Sequence, residues 1–455
     1  MQQENVFCRF QWKFLKIATY LLVVISIGSL TGCGFPASYA QPLQDGLPPS
    51  TPIIPATEEA TPDHAAETGE VNPIPTCSFP LHSDNHAPPS DAISYTFAEP
   101  TVVITGTTVG LADWASSGHE VLISRRRDSL DSHEAIEIVD IDTGQTTVLG
   151  QRKELGTQPV WSDQLEQALF TDIVPDPSSS STQINLYSSG GDVQSPLARN
   201  LATPYIAMSP DGQQIVLFMQ QATTQPHIMP LGGFQVQSTP LSSQALHLQS
   251  EASSLKNLYQ TPPPTASWHP NGSDVIVYGT EGFFFIDTTT GRSCRIDLDT
   301  DTATNLPWWA LHAQWSPDGR YLALRLALGQ EFPVITTRLA LIDTQTGDLN
   351  LIELDAQMIY ESDWGPDSQY LLTLGKVTTS HVGSPETGLF LTHVQTRDTQ
   401  RVLPFDLFST GSYFEGGGLL WSPEGTHVLV NCTTLEPEQL LATETRICEI
   451  EVGTS

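Results

Sequence analysis

The sequence predicts an all-β fold, a seven-bladed β-propeller of four-stranded antiparallel blades that is closed by an N-terminal strand. Three observations lead to this prediction. A turn motif recurs every 47 to 60 residues, an apolar strand follows each copy at a fixed distance, and an Asp/Thr/Gly hairpin signal recurs later in several units. Four-stranded sheets that are buried on both faces and repeat along one chain are the blades of a propeller.

The turn motif occurs in seven copies, and we call the first residue of each copy its anchor residue. The clearest copies are Trp315–Gly319 and Trp421–Gly425, which read Trp-Ser-Pro-Asp-Gly and Trp-Ser-Pro-Glu-Gly. Proline presets the first central φ of a turn, Asp can bond its own backbone, and Gly accepts a positive φ. The other anchor residues are Met208, Trp268 and Trp364, with degenerate copies at Trp114 and Trp161.

A strand without a polar face follows each anchor residue. The seventh, eighth and ninth positions after the anchor are apolar in every unit, except for Thr373 in one of them. Side chains alternate between the two faces of a strand, so this pattern predicts a strand buried on both faces. Asp/Thr/Gly hairpins then follow at Ile141–Gly144, Ile286–Gly291 and Ile342–Gly347.

These repeats resemble the WD40-like propeller repeats of the TolB family over roughly residues 108–452. The separate α/β domain of TolB has no counterpart in this chain, so the role of TolB beside its lipoprotein partner does not carry over. The last unit ends without an outer strand, and an unpaired edge invites aggregation. We expect Thr101–Thr105, which lies before the first anchor residue, to pair with this last unit.

The first 32 residues read as an export signal. Arg9, Lys13 and Lys16 precede an apolar run from residue 17 to 30, and Thr31-Gly32 stand directly before Cys33. This ending resembles the lipobox of bacterial lipoproteins, which implies cleavage before Cys33 and lipid attached to that residue. We therefore expect an extracytoplasmic protein anchored to a bacterial membrane: the outer membrane in a cell with two membranes, or the outer face of the cell membrane otherwise.

Residues 33–90 are predicted to be a disordered tether, and residues 91–455 the propeller. Residues 34–90 contain 12 prolines and no Lys or Arg, with no strand or helix period. As a flexible coil this segment would span roughly 40–45 Å. The whole chain has a formal charge of −32, which excludes nucleic acid as a partner and a polybasic membrane contact.

Four cysteines remain besides Cys33 in the exported chain, and three pairings are open to them. Cys432 and Cys448 lie on neighbouring strands of the last unit, which would leave Cys77 to pair with Cys294. Free buried thiols are the alternative.

Candidate binding residues are few. Arg125, Arg126 and Arg127 form a basic cluster that is able to clamp a carboxylate or phosphate of a partner, with a charged strand end as the plainer alternative. Trp308 and Trp309 precede an anchor residue in a predicted loop, where they would either stack on a ligand or cap the core.

Catalytic and metal signatures are missing from the sequence. It contains no Gly-x-Ser-x-Gly elbow, His-Glu-x-x-His helix or phosphate-binding Gly-rich loop. Asp297, Asp299 and Asp301 alternate as at the start of a calcium loop, but Thr302 and Trp308 stand where Gly and Glu are needed. We therefore predict no metal site and no cofactor.

Taken together, the sequence predicts a monomeric, lipid-anchored, non-catalytic scaffold that binds an envelope protein or peptide. The alternative is a sensor or enzyme for a small ligand, a glycan or a metal, at the mouth of the propeller channel.

Overall fold

The computed structural model describes residues 74–81, 94–115, 118–126, 133–153, 158–176, 182–190, 196–219, 225–231, 239–240, 264–279, 282–298, 308–328, 337–377, 387–403, 418–432 and 445–454. These residues belong to one compact unit and form 29 β-strands. They include no helix, and therefore none long and apolar enough to cross a membrane. Every strand pairing between them is antiparallel and the sheets are arranged like the blades of a propeller, so the predicted all-β class is correct.

The strands are numbered in chain order. The first six are β1 (Tyr95–Phe97), β2 (Thr101–Gly106), β3 (Thr108–Trp114), β4 (Glu120–Arg126), β5 (His133–Asp140) and β6 (Thr146–Lys153). The next eight are β7 (Val160–Ser162), β8 (Gln167–Pro175), β9 (Thr182–Ser188), β10 (Ala198–Leu201), β11 (Ala207–Met208), β12 (Gln214–Met219), β13 (Gln225–Pro230) and β14 (Thr239–Pro240).

The remaining strands follow the same pattern. Two four-strand groups are β15 (Thr265–Trp268), β16 (Asp274–Gly279), β17 (Gly282–Asp287) and β18 (Ser293–Arg295), then β19 (Trp308–Trp315), β20 (Tyr321–Leu328), β21 (Thr337–Asp343) and β22 (Leu349–Ile352). The last seven are β23 (Ala356–Trp364), β24 (Tyr370–Val377), β25 (Thr387–His393), β26 (Thr399–Leu403), β27 (Leu419–Trp421), β28 (His427–Asn431) and β29 (Thr445–Thr454).

Four sheets contain four strands each in chain order: β3–β6, β15–β18, β19–β22 and β23–β26. The sequence predicts seven separate blades, but the described strands form six sheets, because β7–β14 are joined into one sheet of eight strands. The two halves of that sheet are joined by a single pair of residues, Leu201 on β10 with Met219 on β12. The join occurs where the chain leaves the outer strand β10 and continues past β12 into the inner strand β11, with the N–H of Ala202 bonded to the carbonyl of Phe218 at 2.6 Å.

The predicted turns form as their residues require. In the motif that begins at Trp315, Ser316 Oγ donates to Asp318 Oδ1 at 2.6 Å, and the N–H of Gly319 donates to the Ser316 carbonyl at 2.8 Å. Gly319 has a φ of +75°, in the region that glycine adopts without strain. The strand after each turn is buried on both faces as predicted. The residues seven, eight and nine positions after each anchor residue are at most 3 % exposed.

The predicted pairing of the segment Thr101–Thr105 is present. β2 pairs with β29 from Thr101–Glu449 to Gly106–Thr445, and β1 pairs with the end of the same strand. β29, β28 and β27 complete this sheet, and the inner strand β27 contacts β3, the first strand of the first unit.

The tether prediction is wrong for residues 74–81, which pack on the folded unit. The N–H of Cys77 donates to the carbonyl of Arg295 at 2.8 Å, and the N–H of Leu81 donates to the carbonyl of Thr344 at 3.0 Å. Phe79 lies so close to Gly347 that a Cβ there would come within 2.5 Å of the ring. Cys77, Phe79 and Leu81 alternate along this segment and pack against the apolar cluster between the sheets β15–β18 and β19–β22, an alternation that the neighbouring prolines mask.

Candidate functional site

The residue before each anchor residue lies on the innermost strand of its unit, at the side where the units meet. In chain order these residues are Asp113, Val160, Ala207, Ser267, Gln314, Asp363 and Leu420. Two of the seven are carboxylates, and both are half-buried. They form the candidate site because burying even part of a carboxylate is costly unless it is hydrogen-bonded, and such burial readily shifts its pKa.

Asp363 links three consecutive units. Its Oδ1 accepts hydrogen bonds from the N–H of Trp364 at 2.9 Å and from Gln314 Nε2 at 2.7 Å. Its Oδ2 accepts from the N–H of Trp421 at 2.6 Å, on the next inner strand. One side chain on β23 therefore holds β19 on one side and β27 on the other.

Asp113 makes the equivalent link between the first two units, with fewer donors. Its Oδ1 accepts from the N–H of Trp114 at 2.9 Å, and its Oδ2 accepts from the N–H of Trp161 at 3.1 Å on β7. The bond to the next unit thus goes to the backbone of the next anchor residue in both cases.

Burial raises the pKa of both carboxyls. The pKa of Asp113 rises to about 7, chiefly through loss of hydration and further through the charges of Asp163 and Asp363, while the N–H donors of Trp161 and Trp114 oppose the rise. The pKa of Asp363 rises to about 6 for the same first reason, opposed by Trp421, Gln314 and Trp364. Asp113 therefore changes its charge near neutral pH.

Two of the anchor residues also bond neighbouring units to each other. The indole Nε1 of Trp268 donates to the carbonyl of Ala207 at 3.0 Å, and that of Trp364 donates to the carbonyl of Gln314 at 3.1 Å. Each acceptor is the residue before the preceding anchor. The ring position that carries the two carboxylates is thus the position at which neighbouring units are bonded.

A second polar group lies on β19, β20 and β23. Arg325 is 5 % exposed and stands opposite His312 in the strand register. Burial lowers the pKa of His312 to about 3, with the charge of Arg325 adding to the effect, so the imidazole is neutral under ordinary conditions. Burial also lowers the pKa of Arg325, opposed by the charge of Glu361, whose Oε2 accepts a bond from the N–H of Gly418.

Sequence reasoning missed Asp113 and Asp363. A signal was present, since Asp113-Trp114 and Asp363-Trp364 are the same dipeptide at the same place in the repeat. Their meaning depends on donors that lie 48 and 58 residues away, which no local pattern reveals.

The structure places the predicted arginines in ion pairs. Arg125 Nε lies 3.1 Å from Oε2 of the fully buried Glu137, and Arg126 Nη2 lies 3.8 Å from Oε1 of Glu134, which also binds Arg152. Arg125 and Arg126 lie at the end of β4, as in the alternative of a charged strand end, but β4 is paired on both sides and has no open edge for them to protect. Arg127 lies outside the described residues. Binding of a partner by this cluster stays a prediction.

Trp308 and Trp309 begin strand β19, whereas the sequence predicts a loop there. Trp309 is 7 % exposed and packs with Leu311 and Ala327. Trp308 packs against the apolar cluster between the sheets β15–β18 and β19–β22, which contains Trp315. These contacts favour the role of capping the core over stacking on a ligand.

The cysteines lie in the pairs named from the sequence. Disulfides join Cys77 to Cys294, with Cα atoms 4.9 Å apart, and Cys432 to Cys448, with Cα atoms 5.7 Å apart. The first ties the N-terminal segment to β18, and the second joins the segment after β28 to β29. Cys33 lies outside the described residues.

The described part of the chain contains no group of three or more His, Cys, Asp or Glu residues that could hold a metal ion. Asp297 is exposed and pairs with Arg295 at 3.1 Å, while Asp299 and Asp301 lie outside the described residues.

No family model matches the chain, and no curated protein matches it. Among solved structures it is similar to a putative TolB from Agrobacterium tumefaciens (16 % identity, 70 % of this chain and 98 % of that chain, TM-score 0.38). It is also similar to the Cps50 (Swd1) β-propeller domain of Myceliophthora thermophila (13 % identity, 78 % and 99 %, TM-score 0.45) and to an oligogalacturonate lyase in complex with manganese (10 % identity, 79 % and 96 %, TM-score 0.47). TolB and propeller proteins are thus among the chain's structural neighbours, as the repeats predict, and at these values we draw no function from them.

Proposed function

We propose that the chain is a lipid-anchored, extracytoplasmic, seven-bladed β-propeller that acts as a non-catalytic binding scaffold for an envelope protein or peptide. The observation that carries the proposal is the ring position described above, where carboxylates and indoles are used to bond one unit to the next. Polar groups engaged in this way stabilise a rigid frame, and a rigid frame that presents loops is what a scaffold requires.

We interpret the six sheets as seven blades. The eight-stranded sheet divides into β7–β10 and β11–β14 at its single shared pair. Inner strands contact one another from unit to unit, and β27 contacts β3, so the last unit meets the first. In this interpretation β2 supplies the outer strand of the last blade, which removes an open edge.

The anchor would be Cys33, at the outer membrane in a cell with two membranes and at the outer face of the cell membrane otherwise. Because residues 74–81 pack on the folded unit, the free tether would be only the roughly 40 residues before them, a coil of about 35 Å. The disulfide between Cys77 and Cys294 then attaches the tether covalently to β18. The tether joins the ring on the side of the hairpin at Thr344.

One observation favours the alternative, a small-ligand sensor or an enzyme at the channel mouth. The pKa of Asp113 is raised to about 7, a value suited to general acid or base catalysis at neutral pH. However, both oxygens of Asp113 already accept hydrogen bonds from backbone N–H groups, which fixes the carboxylate as a structural acceptor. We therefore rank the scaffold first.

In-cell crosslinking of the anchored protein, followed by affinity capture and mass spectrometry, tests the proposal. We expect one dominant envelope partner that disappears when a Cys33→Ala copy is used, because that copy carries no lipid at this position and is mislocalised. A matched pair of Asp113→Asn and wild-type copies separates the alternative: loss of a small-ligand response with the partner retained would favour the sensor. Capture of no partner above the Cys33→Ala control would contradict the scaffold.

A further inference from the structure

A pocket of about 250 Å³ lies between the sheets β19–β22 and β23–β26, at the end where their hairpin turns stand. Its wall is formed by the turn after Trp315, by the hairpin of Asp343 and by the hairpin that begins at His393. This volume is below the roughly 300–1,000 Å³ of sites for drug-sized ligands, so a single small molecule fits. The pocket is separate from Asp113 and Asp363, which do not line it.

The hairpin at His393 differs from its counterparts at two positions, and both differences change the charge of the side chain. Three other hairpins begin with Asp140, Asp287 and Asp343 and carry Gly144, Gly291 and Gly347 four residues later. In this hairpin the two positions hold His393 and Arg397. His393 Nδ1 accepts the bond from the turn N–H of Thr396 at 3.2 Å, in the role that the Asp carboxylate has elsewhere. This hairpin thus lacks the carboxylate of its counterparts and gains the guanidinium of Arg397, in an otherwise acidic chain.

Arg397 has a φ of +64°, a left-handed conformation that strains any residue with a Cβ. Its three counterparts are glycines with φ between +68° and +83°. Non-glycine residues held in this region tend to occur at functional sites, where the side chain is needed despite the strain. Arg397 is exposed, lines the pocket, and has no ion-pair partner recorded among the described residues.

A second guanidinium lies on the opposite wall. Arg320 Nη2 pairs with Asp343 Oδ2 at 3.3 Å, and its guanidinium stacks over the ring of Tyr321 at 5.0 Å. The Nε of Arg320 is buried and has no hydrogen-bond partner in the described structure. Arg320 is thus held in place by Asp343 and Tyr321, and it adds a second positive charge to the pocket wall beside Arg397.

The other polar residues of the pocket limit which anion fits. Asp343 and Asp348 line it with two negative charges, which would repel a doubly charged phosphate. Asp348, Asn350 and Gln395 instead offer acceptors and donors that suit hydroxyl groups. We propose that this pocket binds a small hydroxycarboxylate, with its carboxylate on Arg397 and its hydroxyls on the Asp348 side.

The test is calorimetric titration of the full mature chain with D-gluconate, with sorbitol as the neutral analogue and inorganic phosphate as the competing anion. We expect saturable binding of D-gluconate and at least tenfold weaker binding of both sorbitol and phosphate. Equal binding of sorbitol would overturn the role of the carboxylate, and equal binding of phosphate would overturn the proposed class of anion. Absence of saturable gluconate binding would overturn the site itself.

The variant Arg397→Gly restores the residue that the other hairpins carry, so it should fold without loss of thermal stability. We expect it to bind D-gluconate at least tenfold more weakly than the wild type. Arg292→Ala is the matched control, since it removes one exposed arginine from the hairpin of the neighbouring sheet and should leave binding unchanged. Unchanged binding in Arg397→Gly, or an equal loss in Arg292→Ala, would contradict the proposal. This test is independent of the scaffold function, which does not require the pocket.

Discussion

Asp113 and Asp363 occupy the same position in two units of the ring and differ in what surrounds them. Both accept a bond from their own anchor residue and from the next one. Asp363 has a third donor in Gln314, whereas Asp113 has the additional negative charge of Asp163 nearby. The pKa values follow, at about 6 for Asp363 and about 7 for Asp113. The comparison teaches that burial raises both values, that hydrogen-bond donors oppose the rise, and that a neighbouring negative charge adds to it.

A third position shows that the link does not need a carboxylate. Leu420 precedes the anchor residue Trp421, and it packs against the apolar cluster that contains Leu111 and Trp114 of the first unit. The last unit thus meets the first through an apolar contact of Leu420, while the junctions on either side of these two units use Asp363 and Asp113. The ring combines both solutions.

The largest expected effect comes from removing the acceptors. Asp363→Leu leaves three donors without their partner, and Asp113→Leu leaves two. Because a buried unsatisfied donor costs about 1–3 kcal/mol, we expect losses in the free energy of unfolding of about 4 and about 3 kcal/mol at pH 5, measured by urea denaturation. Ser267→Leu, at the same position on β15, is the control and should cost less than about 1 kcal/mol. Equal small losses in all three variants would contradict the role of the two carboxylates as acceptors between units.

The next effect is a dependence on pH. The folded pKa of Asp113 is about 7 against an ordinary value of 3.8, so between these values the folded state keeps a proton that the unfolded state has released. The contribution of this carboxyl to the free energy of unfolding therefore falls as pH rises from about 4 to 7. Between pH 5 and 8 we expect Asp113→Asn to remove about 2–3 kcal/mol of this fall, and Asp363→Asn about 1–1.5 kcal/mol.

Urea denaturation of the wild type and both variants at pH 5 and pH 8 measures this prediction. The full pH dependence should be smaller in each variant than in the wild type, and smallest in Asp113→Asn. A wild-type pH dependence that survives intact in Asp113→Asn would show that another group is responsible.

The smallest effect sharpens the comparison. Gln314→Leu removes the third donor of Asp363, and we expect the pKa of that carboxyl to rise by about 1 unit toward the value of Asp113, because a hydrogen bond to the charged form favours it. The measurement is a carboxyl ¹³C NMR titration. Gln158→Leu is the matched control, since the Nε2 of Gln158 donates to the carbonyl of Leu111 and, within the described part of the chain, to no carboxylate. An unchanged pKa of Asp363 in Gln314→Leu would contradict the role given to the third donor.

The parts of the fold that could be predicted are those determined by neighbouring residues. The positive φ of Gly319 and Gly347 follows from short motifs, and the burial of all but the last residue of Tyr321–Leu328 follows from an apolar run. The seven anchor residues also locate the inner strands. These features recur because each unit must solve the same local problem.

The parts that could not be predicted depend on distant partners or on masked patterns. The hydrogen bonds of Asp113 and Asp363 join residues 48 and 58 positions apart. The docking of residues 74–81 is hidden by prolines, although Ile74, Cys77, Phe79 and Leu81 all pack against the clusters of the ring. The pair of Leu201 with Met219 arises from the path of the chain between two units and leaves no trace in the repeat.

Closure of the ring by the N-terminal strand is the central claim, and hydrogen–deuterium exchange tests it most directly. The mature chain should be compared with a chain that begins at Thr107 and so lacks β1 and β2. We expect the amides of Thr445–Glu449 that bond to β2 to lose protection in the shorter chain, while those of β24 and β25 keep theirs. Equal protection of Thr445–Glu449 in both chains would show that β2 does not close the ring.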